Sequence, residues 1–196
     1  MTVPQVILAS GSPQRTRLLS QLGIVHTAIA ADVDETLRVG EAAEALAERL
    51  ARRKAEALSI AYTDAVIVGS DTVVACGAHI FGKPTDADDA AAMLAALSGT
   101  THRVISGVAV FARGGIESRI SETAVTIRAL TSADIAAYIA SNECFGKAGA
   151  YAIQGLGALF VERIEGSYSA VMGLPLYETG ALLRAVGIDA LAQAGS

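Results

Sequence analysis

Asp71 stands in the middle of the most β-prone run of the chain, Ala65-Val66-Ile67-Val68-Gly69-Ser70-Asp71-Thr72-Val73-Val74-Ala75. A central strand normally excludes an unpaired carboxylate, because burying that charge costs more than a few apolar contacts return. The position therefore calls for partners or solvent. Acids held on a rigid strand beside a cleft are a common way to present a general base or a metal ligand. Gly69, two residues earlier, permits close approach of a neighbouring element. A second set of acids lies in Asp32-Val33-Asp34-Glu35-Thr36, an irregular connection. Most such clusters are solvated turns; as a source of carboxylate oxygens this one would suit a hard divalent cation.

Phosphate chemistry would need cations and free N–H groups near those acids, and three stretches supply them. In Val6-Ile7-Leu8-Ala9-Ser10-Gly11-Ser12-Pro13-Gln14-Arg15 a short apolar strand runs into a small, hydroxyl-rich turn. Ser12 then occupies an N-cap position and Pro13 the first helical position. Backbone N–H groups, a positive dipole end, the hydroxyls of Ser10 and Ser12, and Arg15 would face one point. Taken alone, the stretch reads as an ordinary, well-capped connection sooner than as a site, since caps are common and phosphate sites few. Lys54 closes a basic group, Arg49, Arg52, Arg53 and Lys54, toward the end of a long helical pattern. Lys83, in Phe81-Gly82-Lys83-Pro84-Thr85, sits just before a helix start, an unfavourable place for a cation unless an anion lies between them.

The elements that must position these groups alternate between strand and helix. Strands are expected at Val6–Ala9, near His26–Ala30, at Ala65–Ala75, and as a hairpin of Thr101–Phe111 and Ile116–Leu130 turning at Arg113-Gly114-Gly115. A last strand is expected over Leu159–Val161 and Ile164. Helices are expected from Pro13 to a stop at Gly23, over Glu41–Leu58, Asp86–Leu97 and Ser132–Ser141, and from Leu174-Pro175 to Val186. Thr85 with Asp88, and Thr131 with Asp134, have capping-box spacing. Gly166–Ser169 reads as a turn, and the tail beyond Asp189 as frayed. This pattern indicates an α/β fold in a single domain spanning 1–196.

Composition narrows the function. With 196 residues, 52% hydrophobic and 18% charged, the chain can bury a substantial core. A net charge of −5 and the absence of Trp disfavour polymeric nucleic acid as a partner, so any polyanion handled should be small. The longest apolar run, Ala90–Leu97, is too short to cross a membrane. No basic or signal-like segment opens the sequence, and a cytoplasmic location is expected. Cys76 and Cys144 have no ligand spacing and read as reduced thiols, and His26, His79 and His102 are scattered. Walker A, dinucleotide, serine-hydrolase and zinc-protease signatures are absent.

Six short motifs in order resemble the Maf family of nucleoside triphosphate pyrophosphatases. They are Ser-x-Ser-Pro at Ser10–Pro13 with Arg15, Val33-Asp34-Glu35, Gly69-Ser70-Asp71-Thr72, Gly82-Lys83-Pro84, Lys147-Ala148-Gly149-Ala150-Tyr151-Ala152-Ile153-Gln154-Gly155, and Gly173-Leu174-Pro175-Leu176. The resemblance implies an inosine-triphosphatase-like mixed, twisted sheet flanked by helices, with two lobes around a cleft. It also implies hydrolysis of a nucleoside triphosphate to monophosphate and pyrophosphate with Mg²⁺ or Mn²⁺, and a homodimer. By position, Asp71 is then the general base and Glu35 supports the water or metal, both acids serving as metal ligands. Ser10, Ser12, Arg15, Lys54 and Lys83 hold phosphates.

Within that family, the residue after Ser-Pro, the residue after the catalytic Asp, and the Gln or Glu before the late glycine separate a dTTP/UTP-preferring branch from one acting on 7-methyl-GTP. Here these are Gln14, Thr72 and Gln154. Thr72 and Gln154 fit the pyrimidine branch, whereas Gln14 replaces the usual Arg and Gly146 replaces the usual acid, changes that could broaden the base pocket. Gln154 offers a donor and an acceptor, as a uracil or thymine edge requires. A binding-only regulator of cell division is the rival from another class.

Overall fold

The computed structural model describes residues 4–113 and 115–193. Its frame is one seven-stranded mixed sheet in the order β2-β1-β3-β5-β6-β7, with β4 paired to β3. β1 (Val6–Leu8) pairs in parallel with β2 (Thr27–Ala28) and with the start of β3 (Val66–Cys76). All other pairings are antiparallel: β4 (His79–Phe81) on the end of β3, β5 (Thr101–Ala112) along β3, β6 (Gly115–Ile127) on β5, and β7 (Val161–Glu165) on β6.

The length of β3 creates the site. One edge pairs with β5 from Ile67 to Ala75. The other edge pairs with β1 over Val66–Val68 and with β4 over Val74–Cys76, which leaves Gly69–Val73 without a strand partner there. Asp71 lies in that gap. The carboxylate that looks out of place in a central strand is therefore at a locally open edge, and the sheet meets solvent where the chemistry-bearing residues sit.

Helices cover both faces. On one, α2 (Ala43–Ser59) lays Ala47, Ala51 and Ala55 on β3 and β5. The approach is as close as backbone allows: a Cβ on Gly69 would stand 2.2 Å from Ala51 O, and one on Gly107 2.4 Å from Ala47 O. Only glycine at these sheet positions lets the helix rest there, and the result brings Lys54 of α2 over Asp71. On the opposite face, α1 (Pro13–Gln21) and α6 (Leu176–Ala185) pack Leu18, Leu19, Leu182 and Leu183 against Val6, Leu8, Val66, Val68, Val108 and Val110. A separate core joins α3 (Ala87–Leu97) and α4 (Ser132–Ala140) to the far ends of the strands through Leu94, Leu97, Val104, Ile127, Tyr138 and Phe160. These two cores flank the gap, as two lobes around a cleft.

Local signals explain the boundaries. Ser12 caps α1 with Pro13 in its first turn, and Gly23 follows with φ 72°. Thr131 and Asp134 form the capping box on α4. At α3 the box is displaced by one residue: Asp86 is the N-cap and accepts from Asp89 N at 2.8 Å, while Asp89 reaches back to Thr85 N at 2.9 Å. Asp88 takes no part in it: Thr85-Asp86-Ala87-Asp88-Asp89 contains two overlapping patterns, and Asp86 with Asp89 forms the cap.

Other boundaries also move. The expected strand at Leu159 is preceded by a 3₁₀ turn over Gly155–Leu159, and β7 starts at Val161. Ser167 caps a short helix, α5 (Tyr168–Val171), where a turn is expected. The tail beyond Asp189 contains one helical turn, α7 (Ala190–Gln193). Cys76 and Cys144 are free thiols. Among the described residues, no helix is long and apolar enough to cross a membrane.

Candidate active site

A cleft of ≈ 730 Å³ opens at the gap in β3, and all ten residues singled out in the sequence line it: Ser10, Ser12, Gln14, Arg15, Glu35, Lys54, Asp71, Thr72, Lys83 and Gln154. That volume lies within the range of about 300–1,000 Å³ typical of small-molecule sites. The alternation of β3 sorts its residues: Gly69 and Asp71 face α2, while Ser70 and Thr72 face α5 and α6.

On the α2 side the centre is Lys54, buried at 6% exposure. Its Nζ is 2.5 Å from Asp71 Oδ1 and 2.6 Å from Glu35 Oε1, so one ammonium bridges the two acids. Lys54 is thus clamped between carboxylates, a more specific placement than the phosphate contact expected from sequence. Asp71 Oδ2 has no hydrogen-bond partner among the described residues. Lys83, largely exposed, stands 3.9 Å from Glu35 Oε2. Burial works against the Glu35 carboxylate, yet the hydrogen bond and charge of Lys54, with Lys83 and Arg15 behind, hold its pKa below the ordinary value.

The loop that carries Glu35 is tied to α2. Arg49 grips Glu41 through two bonds, at 2.6 and 2.7 Å, and also donates to Thr36 O at 3.1 Å. Asp32 and Asp34 do not join Glu35 in the cleft; they line a separate depression with Arg53 and Glu56. Only one acid of the cluster reaches the site.

On the other side the elbow has the expected form. Ser10 Oγ accepts from Ser12 N at 3.1 Å and from Arg15 Nη1 at 3.3 Å. Arg15 Nε donates to Gly173 O at 2.7 Å, and its Nη2 donates to Thr72 Oγ1 at 3.4 Å. Ser106 spends its one hydroxyl hydrogen on Ala170 O at 2.7 Å, so the 2.7 Å contact between Thr72 and Ser106 has Thr72 as donor. The chain Arg15 to Thr72 to Ser106 to Ala170 O, with the one Ser70 hydroxyl hydrogen shared between Gly107 O at 2.8 Å and Gly173 O at 2.9 Å, pins the segment after α5 against the cleft floor. Burial pulls the Arg15 pKa down, opposed by the charges of Asp71 and Glu35.

The third wall is the glycine-rich run. Gly149 N donates to Gly82 O at 3.0 Å, which joins it to the Lys83 loop. Lys147, Tyr151, Ala152 and Ile153 line the cleft with Gln154. The Gln154 side chain makes no hydrogen bond among the described residues, which leaves both its donor and its acceptor open. Gln14 lines the same cleft, and its Oε1 is buried without a partner. Sequence reasoning did not single out Lys147 as a site residue, although it opens the glycine-rich run. It also missed Tyr151, Ser106 and the backbone carbonyl of Gly173; the last two act through contacts across the fold and carry no local signal.

An acid pair on a shared lysine, facing a helix N-terminus, hydroxyls and cations, can hold a small polyphosphate beside a carboxylate able to accept a proton. A family profile described as Maf-like protein matches residues 5–186, and the chain belongs to that family. A protein of Chromobacterium violaceum named dTTP/UTP pyrophosphatase is 49% identical over 190 residues, covering 94% of this chain and 96% of its own. One of the same name from Myxococcus xanthus is 51% identical over 183 residues, with 93% of each chain covered. Among solved structures, the dITP/XTP pyrophosphatase of Mycobacterium abscessus matches at TM-score 0.40 and 18% identity, over 65% of this chain and 76% of that one.

Proposed function

We propose that this chain is a nucleoside triphosphate pyrophosphatase that hydrolyses dTTP and UTP to the monophosphate and pyrophosphate. The observation that carries the chemistry is the Asp71–Lys54–Glu35 triad in the cleft, opposite the Ser10–Arg15 elbow. The substrate choice is supported by relatives at 49% and 51% identity named for it, and by the open amide of Gln154.

The triphosphate lies against the α1 N-terminus, where Ser10, Ser12 and Arg15 meet its oxygens and Lys83 meets them from the opposite rim. Lys54 fixes Asp71 through Oδ1, so that Oδ2 faces the reaction. A water oriented by Asp71 attacks the α-phosphorus; the bond from that phosphorus to the α,β-bridging oxygen breaks, and pyrophosphate leaves with the electron pair. Asp71 takes the water's proton. Two carboxylates are a suitable protein share for Mg²⁺ or Mn²⁺, a cation that binds through few protein carboxylates, and no group of three or more metal-ligating side chains occurs among the described residues. Asp71 and Glu35 would hold that cation, which supplies neutralisation of phosphate charge. Gln154 reads the pyrimidine edge.

The test is a panel of nucleoside triphosphates with Mg²⁺ or Mn²⁺, assayed for pyrophosphate and monophosphate, with Asp71→Asn alongside. The reading predicts dTTP and UTP as best substrates and no turnover by Asp71→Asn. Orthophosphate as the sole product would refute it, and binding without turnover of any member would favour the regulator.

A further inference from the structure

Behind the glycine-rich wall, a polar brace outside the cleft fixes the segment that ends in Gln154. Glu143, in the loop after α4, is aimed at the turn following Gln154. Its Oε2 accepts from Leu156 N at 2.9 Å, and its Oε1 accepts from Gly157 N at 2.9 Å and from Tyr138 Oη at 2.9 Å. Tyr138, buried on α4, in turn accepts from Ala152 N at 3.0 Å. One carboxylate and one phenol therefore hold backbone N–H groups on both sides of Gln154. The turn is fitted closely to them. Gly155 has φ +85°, and a Cβ on it would stand 2.4 Å from Glu143 Oε2; one on Gly157 would meet Ala152 O at 2.2 Å.

Gln154 itself has no side-chain partner among the described residues, so nothing in its own amide fixes where it points. Its direction is set by its backbone, and that backbone is set by Glu143 and Tyr138. Neither brace residue lines the cleft.

We infer that Glu143 is a positioning residue for base selection: with Tyr138 it locks the Ala152–Gly157 backbone so that the Gln154 amide meets the base at a fixed angle. This rests on the pyrimidine reading given above. The chemistry of the brace makes a sharp prediction. Glu143→Gln keeps the shape and still presents one carbonyl oxygen, but its NH₂ then opposes a backbone N–H as donor against donor. Glu143→Asp retains two acceptor oxygens.

The experiment measures kcat and KM for dTTP and for CTP in the wild type, Glu143→Gln, Glu143→Asp, Gln154→Ala and the Glu143→Gln/Gln154→Ala double variant. Expected for Glu143→Gln is a roughly tenfold rise in KM for dTTP, with kcat within about twofold and the dTTP/CTP preference reduced. Glu143→Asp should recover part of the loss, and Glu143→Gln should add little once Gln154 is alanine. A Glu143→Gln variant with a lower melting temperature but unchanged KM and preference overturns the inference and leaves the pyrimidine reading intact. A wild type with no preference for dTTP over CTP, or a Gln154→Ala variant that keeps it, overturns the pyrimidine reading and the inference with it.

Discussion

Replacing Lys54 with methionine removes the charge that the two acids share while keeping most of the buried side-chain volume. Asp71 Oδ1 and Glu35 Oε1 lie 2.5 and 2.6 Å from the same nitrogen, so the two oxygens are at most about 5 Å apart. At an effective dielectric near 20, two negative charges at that distance repel by about 3 kcal/mol. Solvent at the partly exposed Glu35 screens part of this, and the remainder raises its pKa. The sign follows from what is lost: the hydrogen bond and charge that hold the Glu35 carboxyl below its ordinary value disappear, and an uncompensated neighbour remains. The assay is a ¹³C NMR titration of side-chain carboxyls with metal removed, wild type against Lys54→Met. Glu35 titrating at the same or lower pH in the variant would refute the bridging role of Lys54.

Two further predictions concern the scaffold. Gly69→Ala places a Cβ 2.2 Å from Ala51 O, so α2 must retreat and carry Lys54 away from Asp71; we expect a loss of about 1–3 kcal/mol in urea unfolding together with a lower kcat, and an unchanged midpoint and kcat would contradict the packing argument. His102 is fully buried, and burial lowers its pKa from 6.5 to about 4. Between those values the unfolded chain binds the proton and the folded chain does not, so stability rises with pH across that window and its full contribution is present above pH 6.5. His102→Gln should flatten that slope, worth about 3 kcal/mol, in unfolding curves at pH 4 and 7.5, and an unaltered slope would refute the assignment.

Much of this site is written locally. Ser12-Pro13 sets the elbow by capping and fixed φ, Thr131 with Asp134 caps α4, and the polar interruption at Gly69–Thr72 marks the cleft. What stayed hidden depends on contacts between distant segments. Lys54 is singled out by the family resemblance, but nothing near it in sequence shows that it, rather than Arg52 or Arg53, bridges Asp71 and Glu35; α2 resting on Gly69 and Gly107 sets that bridge. The three-residue β4 has no pattern long enough to read, and it is the strand whose position opens the gap beside Asp71. The box at Thr85 slipped by one residue because two equivalent patterns overlap, and Glu143 looks like any exposed acid until the turn after Gln154 folds onto it.

The phosphorus that water attacks decides the chemistry of this cleft. Hydrolysis of dTTP in H₂¹⁸O, with both products analysed by mass spectrometry, locates the new oxygen. Attack at the α-phosphorus, oriented by Asp71, predicts one ¹⁸O in dTMP and none in pyrophosphate. Label found in pyrophosphate, with dTMP unlabelled, would contradict it.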